Sequence, residues 1–206
     1  MPEWSEAASW QGRRVAVVGL GVSNLALARY LRARGATVVG FDQKEPHELG
    51  PRLEELRALG VELVLGPGYL DRLEPTFDHV FLTPGMRKDL PAITALRQTG
   101  VPISGEMGLF CRLCRGRIVG ITGSSGKTTT TTLIGEMLKT AGQPVWVGGN
   151  IGRPLIEVVE DIAPHHWVVL EMSSFQLELM DRSPHVAVLT NISPNHLDVH
   201  GSFEAY

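Results

Sequence analysis

The sequence predicts an α/β protein with two parallel-sheet domains. Three observations lead to this prediction. Apolar runs of strand length alternate with segments of helical period along all 206 residues. Two glycine-rich turns, at residues 19–24 and 120–128, each follow a strand-like run and precede a helix-like run. The pattern restarts near residue 106, so we expect one domain over residues 1–106 and a second over residues 107–206.

The first domain is predicted to alternate short strands with amphipathic helices. Ser23 is the expected N-cap of the first helix, and Gly35 follows its C-terminal end. The second helix opens on Pro51 and ends before Gly60. The predicted strands cover residues 14–19, 37–42, 61–65, 79–83 and 101–104, and the predicted helices cover residues 23–34, 51–59 and 91–98.

The second domain follows a connecting helix predicted over residues 106–113. In a helix predicted over residues 127–140, Ile134, Met137, Leu138 and Ala141 recur at helical spacing, which predicts one stripe facing the core. The predicted strands cover residues 117–122, 167–171 and 186–191. These are too few to close a sheet of this kind, so we expect an incomplete domain.

Composition excludes several classes of protein. The net charge is −3, 43% of residues are hydrophobic and 20% are charged, as in ordinary globular proteins. No block of Lys and Arg indicates a nucleic-acid partner. No apolar run approaches the roughly 20 residues that span a bilayer, and the acidic residues 1–6 do not read as a signal peptide. We expect a cytoplasmic monomer that binds neither nucleic acid nor a membrane.

The two cysteines, Cys111 and Cys114, form a lone C-x-x-C pair. Half a zinc site and a redox pair are the functional alternatives, but further ligands do not cluster nearby. We interpret them as two reduced cysteines on a helix.

Residues 120–128 read Gly-Ile-Thr-Gly-Ser-Ser-Gly-Lys-Thr, a Walker A phosphate loop. Its backbone N–H groups and the positive end of the following helix bind phosphate oxygens, Lys127 reaches the terminal phosphates, and Thr128 offers a hydroxyl to Mg²⁺. The second domain is therefore predicted to be an incomplete P-loop ATPase-type α/β domain that binds ATP. The expected ATP contacts are Gly120, Thr122, Gly123, Ser124, Ser125, Gly126, Lys127, Thr128 and Thr129.

Residues 19–24 read Gly-Leu-Gly-Val-Ser-Asn, and Asp42 ends the next predicted strand. The pattern is similar to the dinucleotide fingerprint G-x-G-x-x-G and predicts a Rossmann-like first domain with a nucleotide-diphosphate site. Asn24 replaces the third glycine, so we expect looser packing of helix on strand. The pattern leaves open whether Asp42 contacts a ribose or a base, and a purely structural tight turn is the alternative.

Polar residues follow two strands of the second domain. Glu171 ends one strand, where acidic residues hold Mg²⁺ beside a phosphate loop, although a capping or ion-paired glutamate is the alternative. Residues 191–198 read Asn-Ile-Ser-Pro-Asn-His-Leu-Asp and follow the next strand. His196 is therefore a candidate metal ligand or proton carrier, with a structural histidine as the alternative.

These motifs, with Gly-Gly-Asn-Ile-Gly at residues 148–152 and Glu-Met-Ser-Ser-Phe-Gln-Leu-Glu at residues 171–178, resemble the Mur ligases of peptidoglycan synthesis over essentially the whole chain. They are most similar to the member that adds D-glutamate to UDP-N-acetylmuramoyl-L-alanine (UDP-MurNAc-L-Ala). The resemblance implies ATP-dependent amide-bond formation through an acyl phosphate, with two Mg²⁺ ions and these two small-molecule substrates. It also implies a third domain and a carbamylated lysine, both expected after Tyr206.

The resemblance assigns site residues by position. The expected catalytic residues are Lys127, Glu171 and His196, and the expected metal ligands are Thr128, Glu171 and His196. Asp42 is expected to make the polar contact to uracil. The expected contacts to UDP-MurNAc-L-Ala are Gly21, Val22, Ser23, Asp42, Gln43, Thr83, Gly85, Asn150 and His196.

Three alternatives remain open at this point. Another Mur-type or folylpolyglutamate ligase is one, although folate enzymes usually start at the phosphate loop. An NAD-dependent dehydrogenase is disfavoured by the second phosphate-binding turn. The third is an inactive fragment that binds UDP-sugar and ATP without catalysis.

Overall fold

A computed structural model describes residues 10–206, and the acidic residues 1–6 lie outside the described part. The chain forms two compact units that divide between Glu106 and Met107. Each unit contains its own sheet, and every pairing between strands is parallel. The predicted α/β fold class is therefore confirmed.

The first unit contains a five-stranded sheet in the order β3-β2-β1-β4-β5. The order reverses at β1, so the carboxyl ends of β1 and β4 border a crevice of the kind in which Rossmann folds bind nucleotides. The strands are β1 (Arg14–Val18), β2 (Thr37–Asp42), β3 (Glu62–Leu65), β4 (His79–Leu82) and β5 (Ile103–Ser104), and the helices are α1 (Val22–Ala33), α2 (Pro51–Ala58) and α3 (Pro91–Gln98).

Helix α1 differs from its prediction at the N-terminal end. It begins at Val22, and Gly21 is the N-cap, so the assignment of Ser23 as the cap is wrong. Asn24 does not loosen the packing. It is buried, and its Nδ2 donates hydrogen bonds to the carbonyls of Val18 (3.1 Å) and Gly19 (2.7 Å). The amide thus fastens the helix to the end of β1.

The second unit contains a four-stranded sheet in the order β7-β8-β6-β9. Strand β7 was not predicted, because its apolar run is short and ends in two glycines. The strands are β6 (Arg117–Thr122), β7 (Val145–Gly149), β8 (Trp167–Glu171) and β9 (Val186–Leu189), and the helices are α5 (Lys127–Thr140), α6 (Ser174–Leu177) and α7 (Leu197–His200). Helix α4 (Glu106–Leu113) begins at the last residue of the first unit and continues into the second.

Helix α5 packs on the sheet by a narrower face than predicted. Ile134 and Leu138 pack against buried residues of β6 and β8, as expected. Met137 is 70% exposed and Ala141 is exposed, so their assignment to the core is wrong. Thr131 and Gly135 are buried instead. A helix lying on a sheet buries a stripe set by its orientation, which the spacing of apolar residues alone does not determine.

The two cysteines are reduced, as expected. Neither Cys111, which is buried in α4, nor Cys114, which follows the helix, forms a disulfide. Burial raises the pKa of the Cys114 thiol.

Across residues 10–206, every helix is too short or too polar to traverse a bilayer.

Glu106 is the first residue of α4 and is buried. Burial disfavours the charged carboxylate and raises the pKa of Glu106 from 4.5 to about 8. At neutral pH the side chain is therefore a neutral acid in the folded protein and a carboxylate in the unfolded chain.

This difference predicts a pH-dependent stability. Between pH 4.5 and about 8 the folded state keeps a proton that the unfolded state loses, so the free energy of unfolding should fall as pH rises through that window. The fall should be on the order of a few kcal/mol. Glu106→Gln should flatten this slope, as measured by urea denaturation across the window. The exposed Glu62→Gln is the control, and an unchanged slope in Glu106→Gln would refute the assignment.

Candidate functional site

A cavity of about 460 Å³ lies in the first unit, where β1, β2 and β4 end. Five of the predicted substrate contacts line it: Gly21, Asp42, Gln43, Thr83 and Gly85. Its other lining residues are Gly19, Leu20, Lys44, Tyr69, Pro84, Met86, Arg87 and Leu90. The cavity therefore occupies the crevice expected from the strand order.

Asp42 is buried at the end of β2 and holds the glycine turn in place. Its Oδ2 accepts a hydrogen bond from the Leu20 N–H (2.7 Å), and its Oδ1 accepts one from the Lys44 N–H (3.0 Å). A carboxylate has about four acceptor positions, so Asp42 retains capacity for a donor on a ligand.

Gly19 takes a left-handed conformation (φ 82°) beside the end of β4. A Cβ at this position would lie 2.6 Å from Cγ2 of Thr83, closer than real Cβ contacts allow. The first glycine of the turn is therefore required by the neighbouring strand as well as by its own backbone angle.

Two predicted substrate contacts of the first unit, Val22 and Ser23, lie outside the cavity lining. Val22 is 66% exposed at the start of α1, and neither Val22 nor Ser23 is among the residues that line the cavity. The first turn of α1 has no acidic residue, and no side chain caps it, so neither a negative charge nor a capping group competes with a phosphate for its backbone N–H groups.

Three polar residues of the cavity were not among the predicted contacts: Lys44, Tyr69 and Arg87. Burial, and then the nearby Asp42 carboxylate, raise the pKa of the Tyr69 phenol, which stays a hydrogen-bond donor at neutral pH. The Arg87 guanidinium pairs with Asp89, its Nε lying 3.0 Å from Oδ1. Lys44 is the second residue after β2, and Arg87 is the second residue after the Thr-Pro-Gly loop. A basic residue this close to the carboxyl end of a parallel strand is the signal that could have found them.

In the second unit the phosphate loop joins β6 to α5. Gly126 is the N-cap of α5, and Lys127 is its first residue. Gly120 lies inside β6, buried beside Met172 and Pro184. The expected ATP contact at Gly120 is therefore not supported, because strand packing encloses this glycine.

Lys127 lies over its own loop. Its Nζ donates to the carbonyl of Gly123 (2.8 Å) and approaches that of Ser124 (3.4 Å). The hydroxyls of Ser124 and Ser125 donate hydrogen bonds to the segment that follows β9, at the exposed surface of the unit. Thr129 is exposed on the first turn of α5.

Glu171, Thr128 and Asn150 form a hydrogen-bonded group beside the loop. The Glu171 carboxylate, 2% exposed, accepts bonds from the Thr128 hydroxyl at Oε2 (2.6 Å) and from the Asn150 amide at Oε1 (2.9 Å). The register of the sheet sets this contact, since Ile121 of β6 and Gly149 of β7 both pair with Glu171 of β8.

This donor set fits Mg²⁺. Within residues 10–206, no Lys or Arg side chain forms an ion pair with Glu171, so the buried carboxylate is held by neutral groups only. Carboxylate and hydroxyl oxygens are the ligands that Mg²⁺ prefers beside a phosphate loop. A divalent cation would supply the charge that the neutral neighbours do not.

His196 contacts a different set of side chains from those around Glu171. It is the N-cap of α7 with a left-handed φ of 51°, and its ring centroid lies 4.9 Å from that of Phe175. Phe175 belongs to α6, whose capping box joins Ser173 to Gln176. The His200 ring also stacks on Phe175, at 4.9 Å.

The structure therefore brings together only part of the predicted metal set. Thr128 and Glu171 are in contact, whereas neither forms a hydrogen bond with His196 in the described part of the chain. Over the same residues, no group of three His, Cys, Asp or Glu side chains is arranged to hold a metal ion.

Comparison with solved structures supports the fold. A murein peptide ligase from Psychrobacter arcticus is 22% identical with a TM-score of 0.50, over 94% of this chain and 46% of that one. A UDP-N-acetylmuramate:L-alanyl-γ-D-glutamyl-meso-diaminopimelate ligase from Neisseria meningitides is 22% identical with a TM-score of 0.50, over 94% of this chain and 65% of that one. At this identity the likeness shows a shared architecture.

Curated relatives are much more similar in sequence. A UDP-N-acetylmuramoylalanine–D-glutamate ligase from Symbiobacterium thermophilum is 60% identical over 195 residues, and one from Clostridium botulinum is 52% identical over 194 residues. Each alignment covers 94% of this chain and 42% of the relative, so the chain spans less than half the length of these proteins.

Two family models match successive parts of the chain. The MurD-like N-terminal domain of Mur ligases matches residues 13–105, and the Mur ligase middle domain matches residues 121–206. The first sheet, the predicted metal ligands Thr128 and Glu171, and all of the phosphate loop except Gly120 lie within these two matches, whereas most of β6 precedes the second match. The chain belongs to the Mur ligase family.

Proposed function

We propose that this chain carries the nucleotide-substrate and ATP-binding units of a ligase that joins D-glutamate to UDP-MurNAc-L-Ala in peptidoglycan precursor synthesis. The names of relatives that are 60% and 52% identical supply the substrates. The chain spans 42% of their length, so the whole reaction is proposed for the protein in which these two units act. We further propose a monomeric, cytoplasmic enzyme.

The observation that carries the proposal is the buried Glu171 carboxylate within 2.6 Å of the Thr128 hydroxyl, one residue beyond the loop lysine. This arrangement suits a nucleoside triphosphate bound with Mg²⁺. Thr128 and Glu171 would hold the first ion, and His196 would contribute to a second. When bound, Mg²⁺ neutralises charge on the phosphates.

The proposed reaction has two steps. The carboxylate of UDP-MurNAc-L-Ala attacks the γ-phosphorus of ATP, which releases ADP and leaves an acyl phosphate. The amine of D-glutamate then attacks the acyl carbon, and the C–O bond to phosphate breaks to give the amide, inorganic phosphate and a proton.

The residues of this chain act mainly by positioning and by charge. The Lys127 ammonium, which lies over the loop carbonyls, would move to the terminal phosphates and offset their negative charge. Backbone N–H groups at the start of α5 would hold the phosphate chain in one orientation. An anionic nucleophile approaches an anionic phosphoryl group only when such charges are compensated.

The substrate nucleotide is proposed to occupy the cavity of the first unit. Asp42 and Gln43 would contact uracil, and Gly21, Val22, Ser23, Thr83 and Gly85 would surround the diphosphate and sugar. The lone pairs that Asp42 retains beyond its two backbone bonds suit the N–H of a uracil ring. Asn150 and His196 are proposed to contact the muramoyl-L-alanine part.

A phosphate-release assay separates a ligase from a module that only binds its ligands. With a protein that contains both units, we expect inorganic phosphate only when ATP, UDP-MurNAc-L-Ala and D-glutamate are all present. Omission of each substrate in turn is the control. ATP binding by that protein without any phosphate release would favour the binding module.

Replacing Lys127 tests the ATP site. Lys127→Ala should weaken ATP binding by about 10- to 100-fold, because a charged hydrogen-bonding partner of the phosphates is lost. Isothermal titration calorimetry with ATP measures the change. Lys139→Ala removes an exposed lysine at the other end of α5 and is the matched control. Equal affinities for Lys127→Ala and wild type would count against the assigned role.

Replacing Asp42 tests the nucleotide cavity. Asp42→Ala should weaken binding of UDP-MurNAc-L-Ala at least about tenfold, because it removes a charged acceptor and frees the glycine turn. The affinity for ATP should change little. Titration of both ligands measures the difference, with the exposed Glu74→Gln as control. An equal loss for both ligands would indicate unfolding rather than a lost contact.

A further inference from the structure

The segment that follows β9 lies against the phosphate loop. Thr190 Oγ1 donates a hydrogen bond to the Ser125 carbonyl (2.7 Å), and the Thr190 N–H donates to the Thr122 carbonyl (3.0 Å). Asn191 follows immediately and also faces the loop. The two segments are about 65 residues apart in sequence, so this contact is made only by the folded sheet.

The Asn191 side chain binds the two backbone polar groups of Ser125 in the phosphate loop. Its Oδ1 accepts from the Ser125 N–H (3.1 Å), and its Nδ2 donates to the Ser125 carbonyl (3.0 Å). The pair of bonds fixes the orientation of the amide. A side-chain amide presents a donor and an acceptor side by side, whereas an aspartate carboxylate of the same shape lacks the donor.

The main chain of Asn191 holds the preceding loop residue. Its carbonyl accepts from the Ser124 N–H at 3.0 Å. The Ser124 hydroxyl in turn donates to the Ser193 carbonyl (2.8 Å) and accepts from the Ser193 N–H (2.8 Å). The N–H groups of Ser124 and Ser125 are thus engaged within the protein.

This engagement leaves phosphate binding to the next part of the loop. The N–H groups in the first turn of an α-helix have no partner within the helix, and in α5 this turn starts at Lys127 after the Gly126 cap. Ser124 and Ser125 then serve to hold the loop, while residues 126–129 present their N–H groups and the helix dipole to the phosphates.

We propose that Asn191 is a positioning residue for ATP: it anchors the phosphate loop through Ser124 and Ser125 so that the start of α5 faces the phosphate chain. This inference rests on the proposed ATP site. Asn191 itself need not touch ATP, because its contacts are to the loop backbone.

The anchor is tested first without a ligand. We expect the Ser125 amide, which donates to the Asn191 side chain, to exchange slowly with deuterium in the wild-type chain and at least about tenfold faster in Asn191→Ala, as measured by amide-resolved NMR. The Ser124 amide, which donates to the main-chain carbonyl of Asn191, should change less. Gln143→Ala, which truncates an exposed side-chain amide in the turn after α5, is the control. Equal exchange in wild type and Asn191→Ala would overturn the anchor.

Its consequence for ATP is tested by calorimetry on the same variants. Asn191→Ala should bind ATP about tenfold more weakly than wild type. Asn191→Asp keeps the shape but replaces the donor with a charged oxygen, so its loss should be larger and should shrink as salt is raised. The loss of ATP affinity in Asn191→Ala should depend much less on salt. If the two substitutions merely destabilised the loop, the salt dependence of ATP binding would be the same in both variants.

The outcomes separate this inference from the proposed function. A wild-type chain that does not bind ATP contradicts the proposed ATP site, and the anchor is then decided by the exchange rates. Wild-type-like ATP affinity in Asn191→Ala overturns the positioning role while leaving the ATP site intact. Should Asn191→Ala fail to fold, Asn191→Leu, which keeps the shape and removes both polar groups of the amide, replaces it in both measurements.

Discussion

The site in the second unit depends on one close approach, between the phosphate loop and the end of β9. At Gly123, φ is 136°, and a Cβ would lie 2.1 Å from Thr190 Oγ1 and 2.9 Å from the Asn191 carbonyl oxygen. An L-residue with a side chain cannot occupy this position without displacing the strand end. Because the loop turns here, α5 starts at Lys127, and the Thr128 hydroxyl reaches the buried Glu171.

The same constraint occurs in the first unit. Gly19 follows β1 and meets Thr83 at the end of β4, as Gly123 follows β6 and meets Thr190 at the end of β9. In both sheets the turn lies where two adjacent parallel strands end together, which is where open α/β sheets bind ligands. The topology therefore places a glycine, a threonine and a helix start at equivalent points in the two units.

Much of this architecture was predictable from residue patterns, because central parallel strands are buried on both faces and read as apolar runs. The bounds of β6, α5 and β8 agree with their predictions. The exposure of Met137 was not predictable, since it depends on how α5 lies on the sheet. Nor were the partners of Ser124 and Ser125, which come from a segment about 65 residues away, or the Asn24 bonds to β1. The roles of Lys127, Glu171 and His196 remain predictions.

The hydrogen bonds to Ser125 also constrain how this loop can change during evolution. Asn191 holds the peptide group of Ser125, which every residue type except proline retains in full, whereas the amide of Asn191 belongs to its side chain. Substitutions at position 125 are therefore compatible with these hydrogen bonds, whereas substitutions at position 191 are not. Purifying selection would then act more strongly on a residue outside the phosphate loop than on one inside it.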